Sequence, residues 1–191
     1  MKLVILEESG YEWALMGMSL SYYDRSIPLH EWWDDEKMQR AEKRAKSLAF
    51  KHGGHNKFLE SIHVWIYLQA SRDVWSEFDT YRAGVTKQSS STMHTLNKRL
   101  ATMDDFEIGT EQMAIDNLNN VIAEDKTNIT RIKKNLPEGW LQERIICTNY
   151  KALQNIIAQR HKHRLKQWPE ICDEIIGQVE HPYFLVNHEK N

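Results

Sequence analysis

The sequence is short of cysteine: two among 191 residues, Cys147 and Cys172, far apart and forming no CxxC pair. A disulfide framework is therefore not indicated, and a reducing compartment is the default. Positive charge is not in excess either. Lys and Arg number 25 against 27 Asp and Glu, a formal net charge of −2. No global basic field advertises nucleic acid as a partner, although a local cluster of cations can still hold a small anion. Long apolar runs are missing too. The opening MKLVILEESG breaks after four apolar residues at two glutamates, too short for a signal peptide or a membrane span. A soluble, cytoplasmic protein with no membrane attachment is the expectation. There is no GxGxxG, no P-loop, and no Ser-His-Asp or Cys-His arrangement for nucleophilic catalysis. The HKH at 161–163 crowds one helical turn without acidic or cysteine partners at ligand spacing, so no metal site is expected.

What remains reads as one domain over 1–191, long enough to bury a core without staples. KLVIL (2–6) reads as a short strand. Residues 34–50 read as a helix opened by acids, with Met38, Ala41, Ala45, Leu48 and Ala49 as a narrow apolar stripe, broken by GGH at 53–55. IHVWIYLQ (62–69) alternates as a strand. Its second face, His63, Trp65, Tyr67 and Gln69, is largely aromatic and is expected to be covered as well. A helix follows over 71–82, then a hydroxyl-rich loop and a charged connection over 97–110. One long helix is expected over 111–134, with Ile115, Leu118, Ile122, Ile129 and Ile132 in a 3.6-residue period. LPEGW (136–140) stops it; WLQERIIC is a strand; 149–164 and 171–179 are helical. Few strands and long helices without βα alternation predict an α+β fold, a small antiparallel sheet packed with long helices.

Three polar clusters carry the chemistry. HGGHNKFLES (52–61) sets glycines beside histidine, which can bring backbone close to a ligand or simply end a helix. DTYRAGVTKQSSSTM (79–93) is a solvated Ser/Thr loop or a phosphate cradle; its Arg82 follows an aromatic helix face and is expected to be partly buried. In TNYKALQNIIAQRHKHRLKQW (148–168), Asn149, Lys151, Asn155 and Arg160 share a flank opposite Leu153, Ile156 and Ile157, Asn149 and Arg160 lying three turns apart. That flank is a solvated face or a seat for a flat, polar, partly anionic ligand.

In order and spacing these clusters resemble the flavin-dependent thymidylate synthases, the ThyX family, over roughly residues 45–180. That family carries a His-x-Thr-Pro-x-Glu-His segment, a signature RHRxxSxNExSxRY, and a C-terminal helix bearing an arginine eleven residues after its asparagine. HNKFLES keeps His55 and Glu60; TYRAGVTKQSSSTM keeps Arg82 and Ser90; LPEG is followed by Asn149, Leu153, Asn155 and Arg160, then by QWPEI at 167–171. The chain departs at Thr80, Tyr81, Val85, Lys87, Gln88, Thr92 and Met93 within the signature, and at Lys57, Ser61, Lys133 and Lys151 outside it.

The resemblance implies a ThyX-like homotetramer holding FAD at subunit junctions. It implies conversion of dUMP to dTMP with methylenetetrahydrofolate as one-carbon donor and NADPH as reductant, without a protein nucleophile. By the same resemblance His55, Thr80, Tyr81, Arg82, Gln88, Asn149, Lys151 and Asn155 bind the flavin. Glu77, Gln88, Ser89, Ser90, Ser91, Thr92 and Lys133 bind the nucleotide, and Arg160 stabilises charge on the pyrimidine during hydride attack. Two alternatives stay open: a pyrimidine hydroxymethylase or altered-nucleotide methylase on the same scaffold, and a non-catalytic nucleotide-binding homologue.

Overall fold

The computed structural model describes residues 1–51 and 53–187; His52 of the HGGHNKFLES segment lies outside the described residues. In chain order the elements are β1 (Lys2–Ser9), α1 (Tyr11–Ser19), α2 (Leu29–Trp32), α3 (Asp35–Leu48), β2 (His63–Ser71), α4 (Arg72–Phe78) and β3 (Thr86–Ser89). They continue with α5 (Thr92–Thr95), α6 (Gln112–Glu124), α7 (Ile129–Lys134), β4 (Leu141–Asn149), α8 (Tyr150–Arg160) and α9 (Gln167–Gln178). The strands form one antiparallel sheet in the order β1-β2-β4-β3. The α+β expectation therefore holds.

The alternation over 62–69 is as the sequence predicts: Ile62, Val64, Ile66 and Leu68 are buried. The expectation that the opposite face is covered is not met, because Trp65 is 36% exposed.

The chain forms two compact units. The first comprises Met1–Leu3, Tyr67–Tyr81 and Lys87–Ile146. Its core gathers Leu96, Phe106, Ile115, Leu118, Ile122 and Ile132. The single helix expected over 111–134 is two, α6 and α7. Asp125 leaves helical geometry at φ −156°, and its carboxylate accepts from Thr127 N at 2.9 Å. Asn128 then caps α7 by accepting from Arg131 N at 3.1 Å. These are a local Asx turn and an N-cap, which offer the backbone an alternative to continuing the helix.

The hydroxyl-rich segment is likewise more structured than a loop. Thr86–Ser89 pairs beside β4, and the Ser90 amide donates to Glu143 O at 3.0 Å. Helix α4 stops at Phe78 rather than near residue 82. Lys87 Nζ donates to Phe78 O at 3.1 Å and Tyr81 O at 3.0 Å and pairs with Asp79 at 3.3 Å. A lysine at the C-terminal carbonyls meets the negative end of the helix dipole.

The second unit comprises Val4–Ile66, Arg82–Thr86 and Cys147–Asn191. Helix α1 packs on α3 and on the 3₁₀ turn Lys57–Ser61, and α8 packs on that turn and on α9. Ala41, Ala45 and Ala49 are buried, so the stripe read on α3 is a small-residue face that lets α1 approach closely. Asp34 caps α3, accepting from Lys37 N at 2.8 Å. Tyr150, Leu153, Ile156 and Ile157 are the buried side of α8.

Candidate functional site

Helix α8 decides what the second unit can bind. Asn149 is its N-cap: Oδ1 accepts from Ala152 N at 2.9 Å, which fixes the amide at the head of the helix. Opposite the buried side, Lys151 and Asn155 face a cavity of about 980 Å³, a volume in the range of small-molecule sites. Its near end is formed by Ala83, Gly84, Asn149 and Ala152, and its far end by His161 and Lys162. Phe50, Ile157, Leu185 and Val186 give apolar wall, Gln154 a further amide, and Glu60 the carboxylate.

Gly84 has φ +68°, and a Cβ there would lie 2.7 Å from Asn149 Nδ2. Thr148 Oγ1 donates to Gly84 O at 3.0 Å, holding that loop against the start of α8. The near end is thus a close approach of backbone to the Asn149 amide, which only a residue without a side chain allows.

The structure brings Asn149, Lys151 and Asn155 to this one cavity. Asn155 Oδ1 accepts from Gln159 Nε2 at 2.9 Å. Arg160, on the last turn of α8, is not among the lining residues: Nη1 lies 2.9 Å from His163 Nε2, and the guanidinium sits 5.0 Å over the Trp168 ring. His55 and Arg82 belong to the same unit and are exposed, outside the lining set. For Arg82 this corrects the expected partial burial; the physical reason is that α4 has ended four residues earlier, so Arg82 no longer follows an aromatic helix face.

The remaining predicted residues belong to the first unit. Thr80 Oγ1 donates to Glu77 O at 2.7 Å, and Tyr81 sits edge-on to Phe78 at 6.1 Å. Gln88 and Ser89 are exposed on β3, Ser90 follows it, Ser91 and Thr92 open α5, and Lys133 is exposed on α7.

Sequence reasoning missed Phe50, Gly84, Gln154, His161, Lys162, Leu185 and Val186 as cavity residues. A glycine between a helix and a polar strand is the one signal that pointed to Gly84; the rest come from segments that only the fold brings together.

The wall carrying Leu185 and Val186 is tied down by a buried polar network. His181 stacks on Tyr11 at 3.7 Å, and Tyr183 OH lies 3.1 Å from His181 Nδ1 and donates to Glu42 at 3.2 Å. Tyr150 OH donates to Glu8 and accepts from the His181 amide at 3.1 Å. Gln154 Nε2 donates to Phe184 O at 2.9 Å. Burial, then the neighbouring Glu8, pushes the Tyr150 phenol up, so it stays a donor at all ordinary pH.

Burial lowers His181 below the ordinary imidazole value, outweighing the opposing pull of Glu8, Glu180 and Glu42. A group that the folded state keeps neutral contributes stability above its ordinary pKa, and that contribution is lost as pH falls below about 6.5. The unfolding midpoint should therefore drop as pH falls below about 6.5, and His181→Gln should flatten that limb. An unchanged slope in the variant would remove His181 as the source.

No protein-family model matches the chain, and no relative is found among curated proteins. Solved structures do share its fold, and they are flavoenzymes acting on a nucleotide. One is a crystal structure of the flavin-dependent thymidylate synthase ThyX from Helicobacter pylori complexed with FAD and dUMP. It aligns with a TM-score of 0.80 at 15% identity, covering 97% of this chain and 98% of that one. A second structure of the Helicobacter pylori enzyme with FAD and dUMP aligns with a TM-score of 0.82 at 16% identity, covering both chains in full. At such identity the likeness is one of fold: the chain has the ThyX-like α+β fold.

Proposed function

We propose that the chain is a FAD-dependent enzyme that methylates dUMP to dTMP. The balance is dUMP, methylenetetrahydrofolate, NADPH and a proton going to dTMP, tetrahydrofolate and NADP⁺. The observation that carries the reading is the cavity along α8, lined by the amides of Asn149 and Asn155 and by Lys151, with Gly84 packed against the Asn149 amide. The donor set fits a flavin: amides match the hydrogen-bonding edge of the ring, and a cation offsets negative charge on it. Bound flavin supplies hydride chemistry that none of these side chains has.

The chain's own residues then have definite tasks. Asn149 and Asn155 orient the ring edge, Lys151 balances its charge, and Ile157, Leu185 and Val186 exclude water. Arg160, once turned from His163, stabilises charge developing on the pyrimidine. Ser90 and Lys133, with the amides around 88–92, hold the nucleotide phosphate. His55, Thr80, Tyr81, Arg82 and Gln88 complete the flavin contacts, and Glu77, Ser89, Ser91 and Thr92 those of the nucleotide, in a cytoplasmic homotetramer.

A specific observation favours the second reading, in which the pyrimidine nucleotide or product differs. Lys87, in place of the signature asparagine, is committed to Phe78 O, Tyr81 O and Asp79.

Purified protein given FAD should hold it through gel filtration and show the visible flavin band. Supplied with dUMP, methylenetetrahydrofolate and NADPH, it should yield a product of the mass of dTMP. Arg160→Ala should lower kcat by about 10²–10³-fold while leaving the flavin bound. A hydroxymethyl product, or turnover of dCMP alone, would replace this reading by the second; protein that never takes up FAD would remove both.

A further inference from the structure

We propose that the far end of the cavity, at Lys162, receives the phosphate groups of the bound dinucleotide, with His161 beside it. The identity of the ligand rests on the flavin reading; the charge of its far end rests on the cavity.

The cavity is elongated along α8. The helix rises about 14 Å from Lys151 to Arg160, and Lys162 follows two residues later. Its two lysines therefore stand at opposite ends. Among the described residues neither Lys151 nor Lys162 has a carboxylate within 4.0 Å, whereas Lys37 and Lys46 on α3 are paired with Asp34 and Glu42.

The two ends differ in kind. The near end offers the amides of Asn149 and Asn155 and the Lys151 ammonium, which suit the edge of a flat ring. The middle is apolar, with Ile157, Ala158 and Val186. At the far end the last carbonyls of α8 carry the negative end of the helix dipole, which disfavours an anion unless cations answer it. Lys162 does so in full. His161 does so in part, because its Nε2 lies 2.7 Å from Asp173 Oδ1. A ligand that satisfies both ends is a heteroaromatic ring joined to a phosphate or pyrophosphate, and charge-assisted hydrogen bonds to the latter distinguish it from the bare ring.

The test compares riboflavin, FAD and ADP by calorimetric titration of the full chain and of Lys162→Gln, Lys162→Arg and Lys151→Gln. Lys162→Gln should weaken FAD and ADP about tenfold and leave riboflavin unchanged. Lys162→Arg should restore both, and Lys151→Gln should weaken riboflavin and FAD alike. Because Lys162 is exposed, Lys162→Gln should unfold at the parent temperature, so a fold defect does not confuse the outcome.

Equal FAD affinity in the parent and Lys162→Gln, or an equal loss for riboflavin, would overturn the assignment. Parent protein that takes ADP in a Lys162-dependent way but no flavin would sink the flavin reading and leave this one standing. Binding of neither FAD nor ADP would sink both.

Discussion

Trp168→Ala lowers the stability of the second unit by about 3–5 kcal/mol, the cost of deleting a large buried side chain that its surroundings only partly refill. The indole is 0% exposed in the first turn of α9, in a helix whose Ile171, Cys172 and Ile175 are buried with it. Pro169 lies next to it, where the first turn tolerates a missing amide. The same ring is the platform under the Arg160 guanidinium. Its loss therefore reaches further than packing: Arg160 loses a cation–π contact of about 0.5–1 kcal/mol and the surface that fixes its direction. Trp168→Phe should recover most of the stability and part of the ordering. Denaturant titration measures the first effect and the NMR line width of the Arg160 guanidinium the second. A loss under about 1 kcal/mol for the alanine variant would contradict the buried packing described for α9.

Gly84→Val has the next largest effect, about 2–4 kcal/mol together with loss of ligand from the cavity. Two costs combine. At φ +68° a β-branched residue is strained by its own backbone. Its Cβ also meets Asn149 Nδ2 at 2.7 Å, and moving that amide removes the cap on α8. Gly54→Ala separates the two, since Gly54 has φ +85° but nothing within 4 Å of a built Cβ. It should show the backbone strain alone, about 1–2 kcal/mol, with FAD uptake intact. If Gly84→Val takes up FAD as the parent does, the near end of the cavity is not where the ring sits.

The parts legible in the sequence were those written in one period or one helix face. Ile62, Val64, Ile66 and Leu68 announced β2, and Leu153, Ile156 and Ile157 announced the buried side of α8 and so its polar flank. The failures have physical causes. Helix α1 is apolar nearly all round, with Trp13 exposed at 67% and Leu15 buried, so it shows no stripe to read. The break at Asp125–Asn128 is made by side chains bonding their own backbone, which the Ile122–Ile129 register does not reveal. The strand Thr86–Ser89 has no apolar alternation because neither face is buried deeply. The cavity was half visible: its amides and Lys151 share the start of α8, while Phe50 and Glu60 arrive from a segment far upstream of that helix and Val186 from one after it.

The polar make-up of β3 has a consequence for how the sheet ends. Four residues long, with threonine, lysine, glutamine and serine, it offers a newcomer few backbone partners and no greasy side chain. Lys87 is drawn inward to the carbonyls ending α4, so its charge is already answered within the chain. A short polar margin of this kind is a poor template for a further strand.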